Sequence, residues 1–184
     1  ISCLLAVFAI YIWRSRNQIQ RKKLLLYQRI TEQSKLLEEL NQKEQELIKL
    51  QEVMKTGNVL NDDTKPIDSD DKLFMNLKNL MKSEKLYTDP KLSRKTLADR
   101  LNTNEAYLFD TIKLHLNLTF GEYINILRLE HARDLLSLPD SDLTIEAVAF
   151  EAGFGSRNTF YRLFRERFGL TPNEFKRLAT SAKA

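Results

Sequence analysis

The residues best suited to chemistry in this chain form a basic cluster near its C-terminal end. The stretch GFGSRNTFYRLFRERFGLTPNEFKR runs from Gly153 to Arg177, and the part from Arg157 to Arg177 holds six basic and two acidic residues. Arginine and asparagine side chains can donate to phosphate oxygens or to base edges, so the cluster could bind nucleic acid. The same charges could instead form a solvated helix face. The elements that position the cluster must decide between these interpretations.

The sequence shows no combination of residues typical of a catalytic site or a metal site. The two histidines, His115 and His131, lie on separate predicted helices without a neighbouring acid-base group. The single cysteine, Cys3, excludes a disulfide framework or a Cys-based metal site within one chain. No Gly-rich phosphate loop or nucleophile elbow is present. We therefore predict a protein that is not an enzyme and uses no cofactor or metal.

A repeat of one supersecondary unit positions the basic cluster. The segment LSRKTLADRLNTNEAYLFDTIKLHLNLTFGEYI aligns with LTIEAVAFEAGFGSRNTFYRLFRERFGLTPNEFK. Leu97-Ala98 matches Val148-Ala149 at a spacing of 51, and Leu108 matches Phe160 at a spacing of 52. One extra residue therefore lies in the turn of the second copy. With five glycines, four prolines and no hairpin turn motif, the chain is predicted to be all-α.

Each copy has the parts of a helix-turn-helix unit. A first helix carries a small residue where a second helix can cross closely, a residue tolerant of positive φ ends it, and a polar N-cap begins the next helix. A capping box, TFGE or TPNE, then begins a third helix. In chain order, the residues in these roles are Ala98, Asn102, Asn104 and Thr119 in the first copy, and Ala149, Gly153, Ser156 and Thr171 in the second.

The second helix of each copy has one apolar and one polar face. In the second copy Phe160, Leu163 and Phe164 form a core stripe, and Asn158, Tyr161, Arg162 and Arg165 lie opposite. The same offsets in the first copy give Ala106, Phe109, Asp110 and Lys113. Because Asp110 would approach an anionic groove, we expect the two helices to contribute unequally to DNA binding.

The second copy resembles the AraC/XylS transcription regulators. Ile145, Ala149, Gly153, Phe154, Phe160, Arg162, Phe164, Arg165, Gly169, Thr171, Pro172, Phe175 and Lys176 fill that family's pattern, some by conservative exchange. The resemblance extends through EYINILRLEHARDLL, similar to the family's central linker helix, and covers about residues 71–178. It implies a seven-helix domain whose two recognition helices enter successive major-groove segments on one face of the DNA.

The resemblance also implies which residues contact DNA. By position it implies contacts from Arg157, Asn158, Tyr161 and Arg162 in the second unit, and it places Ala106, Phe109 and Asp110 at the contact positions of the first. The helix faces add Arg165 and Lys113, and the predicted DNA-binding set also includes Ser156 and Glu105. The family usually has a basic or polar residue where this chain has Asp110, and a glycine where it has Asn117. Asn117 can adopt the left-handed conformation, whereas Asp110 puts direct base reading by the first unit in question.

The N-terminal part of the chain predicts a membrane segment and a long helix. Ile1–Trp13 is uncharged, ends in aromatic residues and is followed by a basic cluster, which is typical of the cytoplasmic end of a transmembrane helix whose beginning is missing. Residues 14–56 form a predicted coiled-coil or signalling helix, with a heptad column at Ile19, Leu26, Gln33, Leu40, Leu47 and Met54. A parallel homodimer through residues 14–55 and a single amphipathic spacer helix both fit this pattern.

The remaining boundaries follow from composition. Residues 57–70 are a predicted acidic linker, because Gly57, Pro66 and clustered Asn and Asp residues interrupt the helix. Residues 71–180 are then the DNA-binding domain. Together these segments predict a single-pass protein of the bacterial inner membrane with its DNA-binding domain in the cytoplasm, resembling membrane-anchored regulators with a sensor upstream.

The function predicted from the sequence is sequence-specific, double-stranded DNA binding that regulates transcription. By resemblance, activation is the commoner mode and RNA polymerase is a candidate partner. The alternative is a helical interaction module whose basic helix binds an acidic protein or lipid surface.

Overall fold

The computed structural model describes residues 2–57, 69–138 and 142–181. Every regular element in these ranges is helical, which confirms the predicted all-α class. The chain divides into two compact units, Ile1–Asp63 and Thr64–Ala184. Each unit is considered by itself below.

The first unit contains one uninterrupted helix, α1 (Ser2–Gly57), of 56 residues. Its length follows from a sequence without proline and without glycine before Gly57, rich in the strong helix formers Leu, Gln, Glu and Lys. Leu36, Leu40, Leu47 and Leu50 each expose more than half of their surface. Of the predicted linker, residues 58–68 lie outside the described residues.

The predicted membrane location is wrong. Among the residues that the structure describes, no helix is both long and apolar enough to cross a membrane. Crossing needs about 20 predominantly apolar residues, whereas the uncharged run Ile1–Trp13 is followed along α1 by Arg14, Arg16 and Arg21. The location at the bacterial inner membrane is therefore overturned, and the predicted transmembrane segment has no support.

The second unit consists, in its described part, of seven α-helices and one short 3-10 helix. The α-helices are α2 (Ser69–Glu84), α3 (Arg94–Arg100), α4 (Glu105–Leu116), α5 (Phe120–Ser137), α6 (Ile145–Glu151), α7 (Arg157–Phe168) and α8 (Pro172–Ser181). Their number agrees with the seven-helix domain that the resemblance implies. The 3-10 helix Leu86–Thr88, between α2 and α3, was not predicted.

One hydrophobic core holds α2, α3, α4 and the beginning of α5 together. Its fully buried residues include Leu77 of α2, Leu97 of α3, and Leu108 and Ile112 of α4. Ala98 is 1% exposed, as expected for the small residue at the close crossing of α3 and α4. This core fixes the first helix-turn-helix unit, α3–α4.

A second, aromatic core holds α6, α7 and α8 against the rest of α5. Phe160 and Phe164 of α7 and Phe175 of α8 are completely buried. The rings of Phe164 and Phe175 meet edge to face, with centroids 5.7 Å apart, a favourable aromatic arrangement. This core fixes the second helix-turn-helix unit, α6–α7.

Helix α5 contacts both halves of the domain. It touches α4 and the 3-10 helix on one side and α6, α7 and α8 on the other. Leu129, Ala132 and Leu136 are its buried residues in the second half of the helix. The relative placement of the two helix-turn-helix units therefore depends on how each one is attached to α5.

Candidate nucleic-acid interface

Helix α7 is presented to the outside by a defined turn and cap. Gly153 has a φ of +91°, which ends α6 and reverses the chain. The Ser156 hydroxyl then accepts a 3.4 Å hydrogen bond from the Thr159 amide and begins α7. Gly169, with a φ of +69°, ends the helix. The predicted turn and cap of the second unit are confirmed.

The two faces of α7 separate largely as predicted. Phe160 and Phe164 point into the aromatic core. Leu163, also predicted in this stripe, is only half-buried, and Phe168 is buried although it was not predicted. The opposite face leaves Arg157, Asn158, Arg162 and Arg165 exposed, with Tyr161 half-buried among them. Three arginines and one asparagine on an outward helix face form a donor-rich, positively charged surface suited to an anionic partner.

Two arginines of this surface form ion pairs with exposed carboxylates. Arg157 Nη1 lies 3.0 Å from Glu146 of α6, and Arg162 Nη1 lies 3.2 Å from Glu166 one turn further along α7. About two-thirds of the Arg162 side chain remains exposed. Because surface ion pairs contribute only about 0–1 kcal/mol, a phosphate or a base can replace these carboxylates at little cost.

Tyr161 connects the surface to its neighbours. The Arg157 guanidinium lies 5.2 Å from the Tyr161 ring centroid, within cation–π range. The Tyr161 hydroxyl accepts a 3.1 Å hydrogen bond from Asn173 of α8. These contacts orient Arg157 and restrain Tyr161 before any ligand arrives.

The equivalent face of α4 is built on the same frame with different chemistry. Asn102 has a φ of +51°, and the Asn104 side chain accepts a 2.8 Å hydrogen bond from the Tyr107 amide, which confirms the predicted turn and cap. Ala106, Phe109, Asp110 and Lys113 are all exposed. Two of these four residues are uncharged and the other two carry opposite charges, so this face lacks the positive surface of α7.

An ion pair joins the two helices of each unit, with reversed polarity. In the first unit Arg94 of α3 donates to Glu105 of α4 at 3.0 Å. In the second unit the acid is Glu146 on α6, and the base is Arg157 on α7. Glu105 and Arg157 occupy the same first-turn position of their helices. At this position α7 therefore carries a positive charge, whereas α4 carries a negative one.

Matching capping boxes follow both helix-turn-helix units. The Glu122 carboxylate accepts from the Thr119 amide at 2.8 Å, and the Glu174 carboxylate accepts from the Thr171 amide at 2.9 Å. The Thr119 backbone amide, and after it the Thr119 hydroxyl, lower the pKa of Glu122. One helical turn into α5, burial raises the pKa of Tyr123 to about 12. Both boxes confirm the prediction from TFGE and TPNE.

One residue of this region, Arg128, was not singled out by the sequence pattern. Arg128 of α5 donates to two main-chain carbonyls, those of Tyr87 at 2.6 Å and of Asp89 at 2.8 Å. Burial lowers the pKa of Arg128, and the charge of Asp89 opposes that effect. The 3-10 helix that Arg128 contacts carries no periodic pattern, since it is three residues long. An arginine among the apolar positions of the linker helix was the only available sign of this contact.

The two histidines are packing residues. His115 stacks on Phe74 with ring centroids 4.3 Å apart, and His131 meets the edge of Tyr87 at 5.8 Å. Burial and the charge of Lys85 lower the pKa of His131. Neither ring contact provides a nucleophile. The Asp71 carboxylate lies 3.7 Å from His115 Nε2, so the prediction that His115 has no acidic neighbour is wrong.

Known proteins share this arrangement. A family model described as "Helix-turn-helix domain" matches residues 97–178. The melibiose operon regulatory protein of Escherichia coli K12 is 32% identical over 91 residues, which are 50% of this chain and 30% of that protein. The HTH-type transcriptional activator RhaS of Escherichia fergusonii is 39% identical over 85 residues, 46% of this chain and 30% of that protein. This chain therefore spans less than a third of the length of either relative.

A solved structure shows the same fold. It is a transcriptional regulator from Chromobacterium violaceum, described as an AraC-type DNA-binding domain-containing protein. It superimposes with a TM-score of 0.52 at 24% identity, covering 59% of this chain and 92% of that one. The relatives are named as regulators of transcription rather than as enzymes, which agrees with the prediction of a non-enzymatic protein.

Proposed function

Because residues 97–178 are a helix-turn-helix domain of the AraC/XylS family, we propose that this protein regulates transcription by binding specific DNA sequences through that domain. We place the DNA-binding domain at residues 71–180 and treat 57–70 as its connection to the helical segment 14–56. Double-stranded DNA is the partner in this proposal.

The observation that carries the proposal is the outward face of α7. Arg157, Asn158, Arg162 and Arg165 are exposed on a helix whose opposite face is locked in an aromatic core. Arginine pairs with guanine O6 and N7, and asparagine pairs with adenine N6 and N7, in the major groove. A rigid helix that carries both residue types can read sequence as well as hold phosphates.

The first unit contributes a second, weaker contact in this proposal. Helix α4 enters a neighbouring major-groove segment, where Phe109 can meet a thymine methyl group and Lys113 a phosphate. Asp110 repels phosphates at the same surface. The two helices therefore bind the same DNA face, and α7 supplies most of the affinity.

Activation of transcription is the mode that we propose, with RNA polymerase as the partner of the bound regulator. One relative with 39% identity is named as a transcriptional activator. The sign of regulation is tested by a reporter gene under the selected DNA site, with expression rising when the protein is supplied.

Dimerisation through residues 14–55 of α1 completes the proposal. Leu40 and Leu47 lie seven residues apart and expose 63% and 61% of their surface. An apolar heptad stripe of this kind is suited to a second copy of the same helix. We expect Leu47→Glu to shift the protein toward monomer in sedimentation velocity, whereas Leu25→Glu, outside the heptad column, leaves the dimer intact. A wild-type protein that sediments as a monomer at micromolar concentration would favour the spacer-helix alternative.

The decisive experiment for DNA binding is selection of duplexes from a random pool with the full chain. We expect a recurring motif and a steep dependence of affinity on salt. Arg162→Ala should reduce the slope of log K against log salt by about one, and Asn158→Ala should relax the preference at one base pair. Lys82→Ala, on α2 outside both helix-turn-helix units, is the charge-matched control. Failure to bind any duplex even at low salt would contradict the proposal. It would favour the alternative, in which the basic helix binds an acidic protein or lipid surface.

A further inference from the structure

The 3-10 helix Leu86–Thr88 lies at the meeting point of the two helix-turn-helix units. It belongs to the first half of the domain, since Leu86 and Tyr87 pack against the core of α2, α3 and α4. Its ends are fixed by hydrogen bonds from the Lys85 amide to the Met81 carbonyl at 3.2 Å and from the Leu92 amide to the Asp89 carbonyl at 3.1 Å. A displacement of this segment would therefore displace the first unit with it.

The turn of the second unit lies directly against the main chain of this 3-10 helix. A Cβ atom at Gly153 would lie 2.6 Å from the Tyr87 carbonyl oxygen and 2.7 Å from the Thr88 carbonyl oxygen. Both distances are shorter than real carbon–oxygen contacts allow. Glycine is thus required at this position by its neighbours in space, in addition to its positive φ.

Arg128 holds the same point from the central helix. Its guanidinium donates from Nε to the main-chain carbonyl of Tyr87 and from Nη2 to the main-chain carbonyl of Asp89. The guanidinium carbon also lies 6.0 Å from the ring centroid of Phe154, the residue after Gly153. One side chain on α5 therefore contacts the first half of the domain and the turn of the second unit.

From this junction we propose that Arg128 is a positioning residue that fixes the two recognition helices relative to each other, and so sets the separation of the two DNA segments that one chain binds. The DNA part of this inference rests on the proposed function. The planar guanidinium can donate to two carbonyls at once, which a lysine ammonium on a flexible stem does not reproduce. Without it, the 3-10 helix keeps its attachment to the first core but loses its charged anchor on α5.

The first measurement is made on the free protein. Spin labels are placed at Leu114→Cys on α4 and Thr159→Cys on α7, both exposed positions, in a Cys3→Ser background of the full chain. Dilution with unlabelled protein restricts the signal to labels within one chain. We expect a narrow distance distribution by pulsed electron spin resonance that widens in Arg128→Met. An unchanged distribution would overturn the inference.

The matched control is Arg133→Met on the same helix. Arg133 donates to Asp134 and Glu130, both on α5 itself. Arg133→Met leaves in place the ion pair of Glu130 with Arg167 of α7, so the distribution should stay narrow. Widening to the same extent in Arg133→Met would show a general loosening of α5 and would also overturn the inference. Arg128→Lys, which keeps the charge but not the planar double donor, should give a width between those of wild type and Arg128→Met.

The second measurement uses DNA. The duplex selected by the wild-type protein is compared with duplexes in which the segments bound by α4 and α7 are moved apart or together by one to three base pairs. We expect wild type to prefer one spacing and Arg128→Met to lose that preference, with about tenfold weaker binding at the best spacing, because linked contacts depend on geometry. A retained preference would contradict the role of Arg128 in spacing. If wild type binds no duplex, the proposed function fails, and the spin-label distances still decide whether Arg128 fixes the two helices.

Discussion

The two helix-turn-helix units share one frame and differ at their turns and outer faces. Both turns reverse through a positive φ, +51° at Asn102 and +91° at Gly153. Helices α4 and α7 both begin at a polar cap and are followed by capping boxes of the same geometry. The units differ in two surfaces. The outward face of α7 is basic, whereas that of α4 has mixed charge. The turn of the second unit also packs against the 3-10 helix. The repeated positions serve folding, and the divergent ones serve contact.

The largest expected effect separates the two turns. Gly153→Ala places a methyl group against two carbonyls and strains a positive φ, and we expect it to lower the free energy of unfolding by about 2–5 kcal/mol. Asn102→Ala faces only the conformational cost and should lose about 1–2 kcal/mol. Urea unfolding followed by circular dichroism measures both. Equal losses would mean that the contact of Gly153 with the 3-10 helix adds nothing.

The next effect distinguishes the outward faces of α4 and α7. Arg162→Ala should weaken binding to the selected duplex by about 1–3 kcal/mol, or roughly 5- to 150-fold. Asp110→Asn should strengthen binding, because it removes a negative charge from the surface of α4 that we propose to face the DNA. Fluorescence anisotropy at one fixed salt concentration measures both. An unchanged affinity in Asp110→Asn would indicate that α4 does not approach the duplex.

A smaller effect tests what the units have in common. Thr119→Ala and Thr171→Ala each remove one capping box, and each should cost about 1 kcal/mol of stability. Thr119→Ser and Thr171→Ser keep the hydroxyl and serve as controls. Thermal unfolding measures the loss of stability in each variant. A clearly larger loss at one of the two sites would show that the two capping boxes do not contribute equally.

The smallest effect on stability at neutral pH is expected at Tyr123, which occupies the position of Phe175 in the second copy. The folded-state pKa of Tyr123, about 12, lies above the ordinary value of 10.0, because burial favours the neutral phenol. The stability that depends on the neutral form is therefore fully present below pH 10 and is lost as the pH rises toward 12.

Tyr123→Phe should change stability little at pH 7 and should reduce the alkaline loss between pH 10 and 12. Burial also raises the pKa of Tyr87, so part of the alkaline loss remains in this variant. Unfolding midpoints measured at pH 7, 10 and 11 provide the check. The same alkaline loss in Tyr123→Phe as in wild type would exclude Tyr123 as its source.

Most of the fold could be predicted because its information is local. The caps Asn104 and Ser156, the positive-φ positions Asn102, Asn117 and Gly153, and both capping boxes depend on residues within a few positions of one another. The burial of Phe160 and Phe164 in α7 was likewise predictable from their helical spacing.

The failures involved length and long-range contact. An apolar run that ends in aromatic residues beside basic ones predicted a membrane location, but the described helices do not provide a span of the required length. The 3-10 helix was missed because three residues carry no period. The hydrogen bonds of Arg128 join residues 39 and 41 positions apart, which no local pattern encodes.

The sequence by itself determined the helices, their caps, the duplicated unit and the chemistry of the two outward faces, because these depend on short-range hydrogen bonding and on the periodicity of apolar residues. Only the tertiary structure decided that Gly153 lies against the 3-10 helix and that Arg128 binds its carbonyls. Those contacts arise where two cores pack on one helix, α5. The groups that stabilise this junction approach each other only after both halves of the domain have folded.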